Sequence, residues 1–327
     1  MISKTKYEAS PAELDRIFEK AKLGKVLSAK QLGEGEFNAA YRVETEQGRY
    51  VLKIAPPKEA TILTYERDMM HSEVFWYEQI RKHTTVRVPE IYFVDESCEL
   101  IPSHYFIMEY LTGAPLWAMN FSAEERALAD REKIRMAGEI HTIRSHKFGY
   151  IQCGLKDSWY DAVREMVSAL LADCARFGKQ SEYGERLLRA IDRHQELLKA
   201  VEGTMVNFDL WDSNIFCERT ENGLQFSWID PERSFYGDPI ADWIVCGRGP
   251  EQPLSDMGEY FDYYESVSGI RLTGSRDEDI RYAVALGYLA LIMETERYNR
   301  YVPGDEGWER NTVDSAQKFE QALKILE

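Results

Sequence analysis

Asp209, Asn214 and Asp230 are the residues whose types and spacing could do chemistry. The first two lie in MVNFDLWDSNIF, residues 205–216, where carboxylates and amides interrupt a run of Met, Val, Phe, Leu, Trp and Ile. Burying such groups is costly unless they are paired, hydrogen-bonded or bound to a metal. Further on, NIFCERT and LQFSWID flank Glu221-Asn222-Gly223, and Asn-Gly between half-apolar runs predicts a β-hairpin. A hairpin returns its end to its start, so Asn214 and Asp230 are expected side by side with Asp209 close by. One amide and two carboxylates converging at a hairpin mouth offer hard oxygen ligands suited to Mg²⁺. Asp212 falls in the same stretch and reads as a turn residue.

The opposite charge comes from Lys53 in YVLKIA. Strand alternation puts Val51 and Lys53 on one face, Leu52 and Ile54 on the other. A lysine on an otherwise apolar face needs an anionic partner. The helical stretch expected over Thr61–His83 supplies two candidates, Glu66 and Glu73, seven residues apart and so on nearly the same helix face. Glu73 is favoured because EVFWYEQI continues the apolar surface toward a sheet; the string YERDMM keeps Glu66 as the alternative.

The elements that must position these groups divide into two textures. Ser10-Pro11-Ala12-Glu13 is a capping box with proline at the first helical position. From about Val26 come short strands, the long helix, then VPEIYFVD and HYFIMEYL as two more strands. After Leu111-Thr112-Gly113 the chain turns mainly helical, with helices opening at Ser122 and Ser158, another over Glu182–Val201, and an apolar one at 280–298. Strands return briefly over 204–230. The expectation is an α+β fold, with residues 1–110 as a small antiparallel β-sheet lobe and residues 111–327 as a larger helical lobe.

Composition excludes several classes. A net charge of -16 disfavours nucleic acid or an anionic membrane as the main partner and mildly favours a cationic small molecule. The apolar stretch 283–293 is too short to span a bilayer, and the N-terminal residues MISKTKYEAS lack the apolar core of a signal peptide, so a cytoplasmic location is expected. Five scattered cysteines without a CxxC pair argue against a disulfide framework or a zinc site.

Taken in order, Asp209, Asn214 and Asp230 resemble the catalytic Asp and the metal-binding Asn and Asp of the aminoglycoside phosphotransferase family, small-molecule kinases with a protein-kinase-like fold. EIHTIRSHKFGYI before the loop and GDPIADW after it resemble the family's flanking segments. The resemblance implies Mg²⁺ and ATP or GTP as phosphate donor, with Lys53, braced by Glu73, on the nucleotide phosphates. It also implies a turn at Gly33 and Gly35 over those phosphates, Val51 in the nucleotide cleft, and a Met108-Glu109-Tyr110 backbone able to pair with the base. One departure stands out: Asn207-Phe208-Asp209 replaces the His-Gly-Asp of most relatives, and Asn cannot ionise as His can.

Only the short connection from Asp230 to Gly237 precedes the next helical texture, so a small acceptor carrying a hydroxyl and an amine is expected rather than a protein. The alternative is a nucleotide-binding pseudoenzyme; a carboxylate-metal hydrolase would leave Lys53 and the glycine turn unexplained. His141 reads as a packed core histidine, Asp238 as a helix cap before Pro239, and the aromatic run 260–267 as packing. Asp242 reads equally as a loop anchor or a solvated charge.

Overall fold

The capping box at Ser10 does start a helix. The Ser10 N–H donates to the Glu13 carboxylate at 2.7 Å, and α1 runs over Pro11–Ala21. There follow β1 (Val26–Leu32), β2 (Ala39–Thr45), β3 (Arg49–Ile54), α2 (Met69–His83), β4 (Ile91–Asp95) and β5 (Tyr105–Glu109). This computed structural model describes residues 6–33, 37–246 and 254–327. The five strands form one antiparallel sheet in the order β1-β2-β3-β5-β4. Leu14, Ile17 and Phe18 of α1 pack with Leu52 and Ile54 on one face. Trp76, Tyr77 and Ile80 of α2 pack with Val51, Phe106 and Met108 on the other. The alternation read in YVLKIA is therefore real, and Lys53 lies on the α2 side.

The helix expected from Thr61 begins later. Residues Thr64–Glu66 form a 3₁₀ turn, and α2 starts only at Met69. The reason is tertiary. The Thr64 N–H and hydroxyl donate to Asp173 at 2.7 and 2.9 Å, and the carbonyls of Thr61, Ile62 and Tyr65 accept from Asn299, Arg176 and Gln152. Backbone groups that a helix would have used are engaged elsewhere.

Beyond the sheet lobe the chain crosses at Gly113, whose φ of 92° and whose contact with the backbone of Cys217 both require glycine: an added Cβ would lie 2.4 Å from the Cys217 carbonyl oxygen. The second lobe comprises β6 (Ala114–Pro115), α3 (Ala123–Ile140), β7 (Arg144–Ser145), α4 (Trp159–Arg176), α5 (Glu182–Arg193) and α6 (Gln195–Lys199). It continues with β8 (Gly203–Val206), β9 (Ile215–Thr220), β10 (Gly223–Trp228), β11 (Phe235–Gly237), α7 (Trp243–Cys246), α8 (Phe261–Ser268), α9 (Arg276–Arg300) and α10 (Glu306–Leu326). The helix expected over 182–201 is broken at His194 into α5 and α6. α9 is buried on most sides, packed by α10, α4 and α5, which accounts for its apolar sequence. One hydrophobic core extends from Phe37 to Leu326 and so through both lobes. The architecture is the two-lobed α+β fold that the sequence implied.

Candidate active site

The hairpin forms as the sequence required. β9 and β10 pair with Ile215 opposite Trp228, and Gly223, at φ 108°, follows a two-residue loop of Glu221 and Asn222. Just beyond, the Ile229 N–H donates to the Asn214 carbonyl at 2.9 Å, bringing Asn214 and Asp230 to one end of the ribbon. The Asn214 amide donates to the Asp209 carboxylate at 3.0 Å and to its carbonyl at 2.9 Å. The three residues that began the sequence argument meet.

Lys53 reaches them from β3. Its ammonium donates to both oxygens of Glu73, at 2.8 and 2.9 Å, and to Asp230 at 2.5 Å. Glu73, from α2, is fully buried. The alternative partner, Glu66, instead pairs with Arg300 at 2.5 Å. The delayed start of α2 separates the two glutamates that a continuous helix would have stacked on one face.

A third carboxylate was not anticipated. Glu232 lies 3.7 Å from the Lys53 ammonium and accepts from the Asn38 amide at 2.8 Å. Carboxylate oxygens of Glu73, Asp230 and Glu232 lie within 4.8 Å of one another. Its signal in the sequence was the Asp-Pro-Glu string, in which the 3₁₀ turn Pro231–Arg233 folds the glutamate back beside Asp230. Burial pushes both Glu73 and Glu232 above the usual carboxylate range against the pull of Lys53, because one lysine cannot neutralise three acids. Burial opposes the charge of Lys53 itself, yet Asp230, Glu73 and Glu232 hold its pKa well above the usual value. An excess of negative charge presented on oxygen ligands fits a hard divalent cation such as Mg²⁺. Burial also raises Asp209, with Arg233 opposing the rise.

The loop backbone is fixed from beneath. Buried Asp242 accepts the N–H groups of Asn207 at 2.9 Å and Phe208 at 2.6 Å. His141 Nε2 lies 2.9 Å from the same carboxylate, while its Nδ1 meets the Tyr264 hydroxyl at 2.6 Å. Asp242 is thus a loop anchor and not a solvated charge, and the buried His141 supports it. The Asn207 side-chain oxygen accepts the Asp209 N–H at 2.6 Å. Phe208 adopts φ 64°, a conformation that costs a side-chain-bearing residue roughly 1–2 kcal/mol. Its ring packs against Phe235 and Tyr288, with centroids 5.4 and 5.6 Å away, and that packing helps offset the cost.

The other expected residues scatter around this centre. Val51 and Met108 line the core on the α2 face of the sheet. The Glu109 side chain pairs with Arg87 at 2.8 Å, and its N–H is taken by the Glu90 carbonyl at 2.8 Å. Tyr110 is half-buried beneath Arg49. Gly33 is exposed at the end of β1 without a positive φ, and Gly35 lies outside the described residues. Asp212 sits in a turn, paired with Lys133 at 2.8 Å and Arg126 at 2.9 Å. Asp238 caps the following 3₁₀ turn by accepting the Ile240 N–H at 3.1 Å. Among the described residues no helix is long and apolar enough to cross a membrane.

Known proteins share this fold. The chain is 22% identical to a protein of Enterococcus faecium named a probable ketoamine kinase, over 71% of this chain and 78% of that one. Its fold superposes on a Ralstonia eutropha protein provisionally named an aminoglycoside phosphotransferase, with a TM-score of 0.65 and 18% identity, covering 96% of this chain and 98% of the other. It also superposes on the ternary complex of APH(2″)-IIa with streptomycin and ATP, with a TM-score of 0.60 and 14% identity, covering 96% and 99%. The model of the phosphotransferase enzyme family APH matches residues 28–274, and the chain belongs to that family.

Proposed function

We propose that this protein transfers the γ-phosphate of a nucleoside triphosphate to a hydroxyl of a small, amine-bearing molecule. The observation that carries the reading is the convergence, from two lobes, of one buried lysine, three carboxylates, and the Asp209–Asn214 pair. Residues 1–110 hold the nucleotide. Lys53, oriented by Glu73, engages its phosphates, Val51 packs in the cleft, and the Met108–Tyr110 backbone meets the base. Asn214 and Asp230, joined by Glu232, would hold Mg²⁺, which when bound neutralises phosphate charge. Asp209 orients the acceptor hydroxyl and takes its proton. Residues 111–327 supply that loop and the acceptor pocket. Phosphoryl transfer needs chiefly positioning and charge compensation, and these groups provide both.

ATP as donor is supported by the ATP complex of the neighbour described above, and an amine-bearing acceptor by the ketoamine kinase relative. The test is incubation of the pure protein with Mg²⁺, ATP or GTP, and a panel of ketoamines, aminoglycosides, amino sugars and amino alcohols. One acceptor is expected to gain a single phosphate by mass. A folded protein that binds nucleotide yet modifies none of them, and hydrolyses no ATP above background, would point to a pseudoenzyme instead.

A further inference from the structure

A second cation stands at this site, and neither the sequence nor the roles above account for it. Arg233 ends the 3₁₀ turn that begins one residue after Asp230. Its Nη2 donates to Glu296 Oε1 at 2.8 Å. The same oxygen receives the Tyr65 hydroxyl at 3.0 Å and lies 3.2 Å from Arg300 Nη2, so Glu296 is gripped from three sides. Nε and Nη1 of Arg233 have no protein partner among the described residues, yet they are not sealed from solvent. Arg233 directly follows Glu232 in that turn, so its side chain is rooted beside the Asp230 and Glu232 carboxylates of the same cleft. Lys53, by contrast, is already occupied by Glu73 and Asp230.

We infer that Arg233 is a further catalytic residue, its open donors bonding the non-bridging oxygens of the transferring phosphoryl group, with Glu296 as the residue that positions it. This rests on the phosphotransfer reading above. In the step concerned, the acceptor oxygen–phosphorus bond forms as the bond from the γ-phosphorus to its bridging oxygen breaks. The electron pair stays on the nucleoside diphosphate, and the hydroxyl proton passes to Asp209. Charge moves over the phosphoryl oxygens throughout, and a planar fork held in place by Glu296 would bond them with little reorganisation.

Arg233→Met should lower kcat by about 10²-fold while KM for the nucleotide changes little, and acceptor-free hydrolysis of ATP should fall by a similar factor. Arg233→Lys keeps a charge for Glu296, is expected to fold like wild type, and should lose about tenfold because a point charge cannot reproduce the fork. Glu296→Gln should lower kcat and leave KM unchanged. Calorimetry supplies a readout free of turnover: with Mg²⁺ present, both Arg233 variants should bind ADP normally but ADP with aluminium fluoride, a mimic of the transferring group, at least tenfold more weakly. A raised acceptor KM with unchanged hydrolysis would make Arg233 an acceptor-binding group and overturn the assignment. So would Arg233→Lys and Arg233→Met enzymes with wild-type kcat. A wild type that neither transfers nor hydrolyses overturns the phosphotransfer reading itself and this assignment with it.

Discussion

Two charged clusters flank the Asp209 loop, and they differ in balance. Around Lys53 stand three carboxylates, Glu73, Asp230 and Glu232. Around Glu296 the signs match: Arg233 and Arg300 face Glu296 and Glu66, with Tyr65 adding a hydroxyl. The second cluster balances its charges and ties the 3₁₀ turn before α2 to α9, while Arg233 keeps two donors open. The first is left with surplus negative charge, a state that costs stability until a cation joins it. Balanced charge lets the second cluster hold Arg233 in place, whereas the unbalanced charge of the first calls for a cation.

The contrast can be broken in several ways. Among the described residues Asp209 draws no salt bridge from either cluster, so Asp209→Asn should leave thermal unfolding nearly unchanged while phosphate transfer, or basal ATP hydrolysis, falls by about 10³-fold. In the balanced cluster, Arg300→Met takes the ion-pair partner from buried Glu66 and one of two from Glu296, and should cost about 3–5 kcal/mol in denaturant unfolding. If that variant unfolds as wild type does, the cluster is not structural.

Asp95 sharpens the comparison from outside both clusters. Partial burial opposes its charge, but hydrogen bonds from Lys20, Ser97 and Tyr105 hold its carboxyl well below the usual range. A folded-state pKa depressed in this way contributes stability that is present above the unfolded value and lost as pH falls toward the folded one. Asp95→Asn should therefore destabilise by about 2 kcal/mol at pH 7, and the difference from wild type should shrink below about pH 4. The smallest effect has the opposite sign. Glu232→Gln removes one of three like charges and should stabilise the ligand-free protein by about 1 kcal/mol while weakening nucleotide binding in Mg²⁺. Thermal shift with and without Mg²⁺–ATP measures both.

Much of this was legible because it was local. The Ser10 cap, the alternation in YVLKIA and the hairpin that joins Asn214 to Asp230 each depend on neighbours within a few residues. The choice of Glu73 over Glu66 was readable only in part: a regular helix would have offered both, and Asp173, Arg176 and Asn299 from distant helices interrupt it. Glu232 was overlooked because nothing in Asp-Pro-Glu says that the turn folds back on the lysine. Asp242 stayed ambiguous because its partners lie more than thirty residues earlier.

By itself the sequence determined which groups could do chemistry, the hairpin that gathers three of them, and the strand face that carries the lysine, since backbone periodicity and turn preference act over short range. Tertiary structure alone decided that Glu66 turns away to Arg300, that a third carboxylate joins Lys53, and that Asp242 and His141 hold the loop while Glu296 holds Arg233. Buried charges choose partners by proximity in space, and proximity between lobes is settled only when the core that runs through both has packed.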